Sequence, residues 1–377
     1  MSRRNYLRVL HASLILCLLL PAVLSGGSKK QKEEPVDTSK LVWPQPPQQR
    51  RIAFVAQITG VDDVVGVPKR SWMDRAAGAR PPMPRQALKS PYGVAVDSKR
   101  QVYVADAANR TVFVFNLELK RVERRGDRPP ARLAVPIGLA IDDQDRLFVS
   151  DASLHQITCF APDGEVLAVF GLDDLQRPAG IALDNRLHRL YVADAKANRL
   201  AIFDTTSFRL LQQIGGTSTP GKAEPGTFSA PSNVAVGDGQ VYVTDTWNQR
   251  VQVFDSAGKF GRTFGRHGVT PGDFVRPKGI ALDSQGHIYV ADAEFNNFQV
   301  LASDGRPLLA VGDYGTNPGQ FALIAGMAID KFNRIYVTDQ WHGRLQVFQY
   351  FPENPAVVRS GTFPSSVSQK TSPSSFS

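Results

Sequence analysis

Residues 241–254 read VYVTDTWNQRVQVF: an alternating apolar run, then an Asp, an Asn and an Arg within six positions, then a second alternating run. Taken alone, that polar density points to an active site. A catalytic constellation is built once in a chain, whereas a structural device is reused, so recurrence decides the reading. The arrangement appears six times. Its Asp falls at Asp106, Asp151, Asp194, Asp245, Asp292 and Asp339, at intervals of 45, 43, 51, 47 and 47 residues. A period of that size marks a repeat architecture.

Before each anchor Asp stands VYVA, LFVS, LYVA, VYVT, IYVA or IYVT, rich in the β-branched and aromatic residues that suit a pleated surface. Nine residues after the anchors come Phe115, Phe160, Phe203, Phe254, Leu301 and Phe348. Upstream lies a second series, starting at Gly93, Gly138, Gly180, Asn233, Gly279 and Gly326, with Pro two residues ahead in all but the last, where Ile324 stands. Each repeat thus reads as three short strands followed by a fourth, such as GKFGRTFG at 258–265. Four antiparallel strands make a blade, and the expected fold is an all-β, six-bladed β-propeller. After Phe348 the chain offers only a stretch broken by Pro352 and Pro355, so the outermost strand of the last blade has to come from upstream. RIAFVAQITG at 51–60 has the required character, and its pairing with the last blade would close the ring without an open edge.

Three inter-blade loops, PGTFSAPSNVAV at 225–236, PGDFVRPKGIAL at 271–282 and PGQFALIAGMAI at 318–329, join a Pro-Gly-x-Phe turn to the next inner strand. With the six aspartates they make the chain resemble the NHL-repeat family of six-bladed propellers, as found in exported bacterial proteins, over roughly residues 51–350. Blades one and two depart from the family pattern in their loops. The segment DASLHQ at 151–156 also resembles the one in which peptidylglycine amidating lyases, six-bladed propellers too, carry one of three zinc histidines. In that family the other two follow the Pro that opens an inner strand. The equivalent positions here are Tyr92, Ile137, Ala179, Ser232, Lys278 and Ala325, so His155 stands without the partners a zinc catalyst needs. Lactonase-type propellers hold a divalent ion with carboxylates and amides, and Asn233 is the one amide in the repeated Gly slot. No Ser sits in a Gly-x-Ser-x-Gly elbow either. The reading expects no catalytic residue, no metal and no cofactor.

A carboxylate where the second strand turns into the third accepts hydrogen bonds from backbone N–H groups two or three residues on, so all six anchors are expected to be structural. The hairpin aspartates Asp97, Asp142, Asp184, Asp283 and Asp330 are turn residues by the same chemistry. Identical turns do not explain the variation among them. The candidate ligand- or partner-binding residues are Arg110, His155, Arg199, Trp247, Arg250, Phe295, Trp341, His342 and Arg344. They share one face with the blade-to-blade loops. Trp72 joins them from the long insertion at 61–90, set among Lys69, Arg70, Arg75 and Arg80, a segment that reads either as a lid over the channel mouth or as a disordered basic loop whose Trp packs on the blade below.

Arg3, Arg4 and Arg8 precede the apolar run LHASLILCLLLPAVL and small residues, the order of a secretory signal over 1–27. The run is shorter than the roughly 20 residues that span a bilayer, and retention as a membrane anchor is the alternative. Residues 28–50 read as a Pro-rich linker and 351–377 as a disordered tail. Cys17 lies in the signal, and Cys159 occupies a slot filled elsewhere by Val114, Ile202, Val253, Val300 and Val347, so it is expected to be a small buried hydrophobe. A net charge of +9, part of it from the leader, reads as a solvated surface, with attraction to acidic polymers or anionic lipid as the sharper alternative. Arg and Trp on one face also suit base stacking, but an exported protein rarely meets RNA, so no nucleic acid is expected. The sequence thus describes an exported, periplasmic or secreted, monomeric propeller. Its expected role is non-catalytic binding or scaffolding, with a protein, peptide or cell-envelope polymer recognised through one face. A metal-dependent enzyme of amidating-lyase or lactonase type is the alternative.

Overall fold

The computed structural model describes residues 36–67, 72–77, 85–217 and 222–352. Within them the chain is a six-bladed β-propeller. Blade one runs outward through Pro91–Val96, Val102–Asp106, Thr111–Asn116 and Arg121–Arg125, each strand antiparallel to the last. The inner strands of blades two to five are Pro136–Ile141, Pro178–Asp184, Pro231–Gly237 and Pro277–Leu282, and each begins a four-stranded sheet of the same order.

Neighbouring blades pack on both faces of each second strand, which is why VYVA-type runs are apolar throughout instead of alternating. All five residues of Val102–Asp106, Leu147–Asp151 and Ile288–Asp292 are buried. The outermost strands meet water on one face and alternate accordingly, as Val166–Phe170 and Phe260–Phe264 do. Phe113, Phe148, Phe203, Phe254 and Phe298 fill the space between sheets, each contributing about 1.5–3 kcal/mol by removal from water. Cys159 is fully buried opposite Phe148. Burial pushes its thiol pKa up to about 12, so it packs as a hydrophobe rather than reacting as a thiolate.

The last residue of the second-strand run alternates Ala105, Ser150, Ala193, Thr244, Ala291, Thr338 around the ring. Each hydroxyl accepts from the inner-strand N–H of its own blade and donates to an inner-strand carbonyl of the next. Thr244 Oγ1 takes Asn233 N at 2.9 Å and gives to Lys278 O at 2.8 Å. Thr338 Oγ1 takes Gly326 N at 2.7 Å and gives to Tyr92 O at 2.6 Å. Ser150 does the same between Gly138 N and Ala179 O.

Blade six consists of Ile324–Ile329, Arg334–Asp339 and Arg344–Tyr350, with Ile52–Ile58 as its next strand outward. Ile52 pairs with Tyr350 and Ile58 with Leu345, closing the ring from both ends of the chain. The linker boundary needs correcting, because Val42–Trp43 adds a fifth strand to this sheet through Val42–Ala53 and Trp43–Ile52 pairs. The reason is Trp43, whose ring meets Phe348 edge-on at 5.7 Å and lies against Gly319. The expected signal, and all but the first two residues of the expected tail, lie outside the described residues. No helix among the described residues is long and apolar enough to cross a membrane.

The Pro-Gly-x-Phe loops bury Phe228, Phe274 and Phe321 completely. Each ring lies on a glycine with left-handed backbone, Gly215, Gly265 or Gly312, where an added Cβ would come within 2.4–2.6 Å of ring carbons. Only glycine fits there.

Candidate functional site

Strands one and four of each blade meet the second-to-third turns at one end of the ring, here called the upper face. All six anchor aspartates lie beneath it, fully buried. Asp151 accepts from Ser153 N and Leu154 N, both at 3.0 Å, which closes the expected turn. It also accepts from Ala134 N at 2.6 Å and Val135 N at 3.1 Å, in the loop entering the inner strand of its blade. Asp106 binds Lys89 N, Asp194 binds Gln176 N and Arg177 N, Asp245 binds Ser229 N, Asp292 binds Val275 N and Asp339 binds Ala322 N. One carboxylate thus ties turn to loop in every blade, and a backbone donor left unpaired there would be costly.

Arg250 and Arg344 require correction as partner-binding candidates. Both are 4% exposed. Arg250 holds Asp245 through Nε at 2.8 Å and caps three loop carbonyls, Ala223 O, Glu224 O and Thr227 O, at 2.6–2.9 Å. Arg344 holds Asp339 at 2.9 Å and caps Thr316 O at 2.6 Å and Gln320 O at 2.7 Å. Burial lowers the Arg344 pKa from its ordinary value while Asp339 opposes the shift, and an arginine keeps its charge through such changes. Two residues on, Gln252, Gln299 and Gln346 clasp the same loops, each taking the Gly N–H of the Pro-Gly turn at 2.7–2.9 Å. Arg199 is half-buried, bound to Asp174 O and, at 2.7 Å, to Gln213. His342 is also committed inward, its Nδ1 lying 2.9 Å from Asp339 in the slot where Asn109 and Asn248 bind their own anchors. These four side chains are built into the turn rather than presented by it.

What stays exposed divides the upper face. Trp247 is 60% exposed and Trp341 74%, both two residues past their anchors, with half-buried Phe295 on the blade between them. Arg110 and His155 are exposed at the left-handed fourth turn position, φ 54° and 57°. Around blades one to three, Lys89, Arg132, Arg177 and Lys196 are exposed as well. The insertion is partly docked: Val64 and Leu88 enter the core beside Ile58 and Leu345, and Asp62 pairs with Arg85 at 2.9 Å. Trp72, on the short helix Trp72–Ala76, is 72% exposed. The side chains of Lys69, Arg70, Arg75 and Arg80 lie outside the described residues.

Along the ring axis a cavity of about 260 Å³ is lined by the inner strands of all six blades, including Gly93, Gly138, Asn233 and Gly326. These strands are sheet edges, so their unpaired backbone groups form much of the wall. At its upper mouth Lys278 Nζ donates to the Tyr92 hydroxyl at 3.1 Å. Among the described residues no three His, Cys, Asp or Glu side chains converge as a metal set.

A family model described as a 6-bladed beta-propeller matches residues 224–299. No curated protein sequence matches the chain. Among solved structures, a protein of unknown function from Bacteroides thetaiotaomicron is similar with a TM-score of 0.59 and 15% identity over 71% of each chain. An auxiliary nutrient binding protein from the same organism gives 0.55 and 12%, over 70% of each chain. A gluconolactonase from Xanthomonas campestris gives 0.54 and 18%, over 70% of this chain and 86% of that one. At such identities the likeness is one of fold. The propeller fold is common to all of this, and the NHL resemblance is compatible with it.

Proposed function

We propose that the chain is an exported binding or scaffolding propeller, without catalytic activity of its own, that holds a protein, peptide or cell-envelope polymer on its upper face. One observation carries the reading. Trp247 and Trp341 stand 60% and 74% exposed on turns whose neighbouring residues are locked into the interior. Large aromatics supply most of the binding energy where surfaces meet, and these two are held to solvent on one face. The similarity to a nutrient-binding propeller is consistent with this, and a zinc site of the amidating-lyase kind has no three converging His, Cys, Asp or Glu side chains among the described residues. Export rests on the leader-like N-terminus.

The test is recovery of bound material from envelope extract by the wild type and by Trp72→Ala, Trp247→Ala and Trp341→Ala variants. At least one tryptophan variant is expected to lose most of its recovery with folding intact. Undiminished recovery in all three would move the site off this face. Elemental analysis of the same preparation checks the enzyme alternative, which needs a stoichiometric divalent metal.

A further inference from the structure

Six residues stand second in the inner strands, one per blade, at the upper end of the cavity lining: Tyr92, Ile137, Ala179, Ser232, Lys278 and Ala325. Lys278 is their single cation, and its ammonium reaches across blade six, where the small Ala325 is almost fully buried, to the Tyr92 hydroxyl 3.1 Å away. The ammonium also sits 5.3 Å from the Tyr92 ring centroid. Both side chains are half-buried. No carboxylate among the described residues pairs with Lys278, whereas the half-buried Arg146, Arg199 and Arg276 each have one, Asp142, Asp194 and Glu294. A lysine has three donors and this one spends a single donor on a neutral phenol, whose own proton stays available.

The pair stands on a fixed base. Lys278 O and Tyr92 O are two of the three inner-strand carbonyls held by the alternating hydroxyls, by Thr244 at 2.8 Å and Thr338 at 2.6 Å. The third, Ala179, brings no functional group. Donors fixed before a ligand arrives lose little entropy on binding it. Lys89, Arg110, Arg132, Arg177 and Lys196 on blades one to three are exposed with no ion-pair partner among the described residues, against exposed Asp173, while on blade five the exposed Glu294 is paired with Arg276 at 3.1 Å. Charge of one sign around a cleft steers and concentrates the opposite sign.

From this we infer that Lys278 and Tyr92 form an anion subsite at the channel mouth, which seats a carboxylate or phosphate group of the molecule held on the upper face. The inference rests on the binding reading above and sharpens it to an acidic ligand. Lys278 supplies the charge, Tyr92 a neutral donor and an orienting ring.

Calorimetric titration of the full chain with two probes, inorganic phosphate and glutarate, tests it and separates the two anion classes. At least one probe is expected to bind in the millimolar range. Lys278→Met should weaken that binding tenfold or more, Tyr92→Phe about threefold, and Lys278→Arg should restore most of it, with thermal unfolding unchanged in each. Arg110→Met, an exposed cation on the same face, should weaken it less than twofold. Absence of binding by both probes, or equal binding by Lys278→Met, overturns the subsite. Recovery of envelope material lost in the tryptophan variants reports on the face, and anion binding lost in Lys278→Met reports on the subsite, so the two readings fail separately.

Discussion

Blades one to three and blades four to six share a turn and differ in what surrounds it. In the second half each incoming loop carries Pro-Gly-x-Phe, is clasped by Gln252, Gln299 or Gln346, and in blades four and six is nailed down by Arg250 or Arg344. Its turns end in Trp247, Phe295 and Trp341. In the first half those Gln positions hold Phe113, Thr158 and Ala201, and the turn residues left exposed include Arg110, His155 and Lys196. The difference shows that rigidity and display are arranged together: a loop held at several points makes a firm base for a solvent-facing ring, which suits a recognition surface better than a free hinge.

The comparison breaks first if the ring does not depend on its borrowed strand. Deleting residues 51–60 exposes the edge of blade six and the core around Phe348, and cooperative thermal unfolding is expected to disappear. Next in size are the buried arginines. Arg250→Met or Arg344→Met strands a buried aspartate and several carbonyls and should cost about 3–5 kcal/mol in denaturant unfolding, whereas Arg110→Met in the first half should stay within about 0.5 kcal/mol. Equal losses would erase the distinction between the halves. Asp151→Ala removes a carboxylate with only backbone partners and should cost about 1–3 kcal/mol, less than Asp245→Ala, which also orphans Arg250.

A smaller effect concerns alkali and spans both halves. Burial, and then the neighbouring Asp97, Asp283 and Asp330 carboxylates, push the phenols of Tyr103, Tyr289 and Tyr336 well above their ordinary value of 10.0. The folded protein therefore holds protons that the unfolded chain releases. Stability from these groups is complete below pH 10.0 and falls as pH rises beyond it. Absorbance titration should show these tyrosines ionising only together with unfolding, and ionisation in the folded protein near pH 10.0 would contradict the burial described for them.

The fold was legible because the anchor period and the VYVA-type runs are consequences of packing between blades. The status of the arginines was not read, although the residue pattern contains it. The fifth residue after the anchor opens the third strand and pairs directly with the Asp, as Asp245 does with Arg250 and Asp339 with Arg344. Directly opposed residues project to the same side of a sheet, so the residue facing a buried anchor is drawn inward: Arg250 and Arg344 are buried, and Gln156, Arg199 and Asn297 half-buried. The accompanying Arg-x-Gln, found where Pro-Gly-x-Phe precedes it in blades four and six, was the second available sign. The alternation of Ala with Ser or Thr was equally visible, but its meaning depends on a carbonyl of the next blade, which no local pattern supplies. Trp247 and Trp341 lie between anchor and strand, outside both periodicities, and the structure leaves both exposed.

The smallest effect on stability tests the central claim most directly. Trp341→Ala, measured for thermal unfolding and for recovery of envelope material in one preparation, should melt within about 2 °C of the wild type, since an exposed side chain contributes little to the core. Its recovery should fall at least tenfold. A variant that melts normally and recovers as much as the wild type, with Trp72→Ala and Trp247→Ala behaving alike, would contradict the assignment of the upper face as the binding surface.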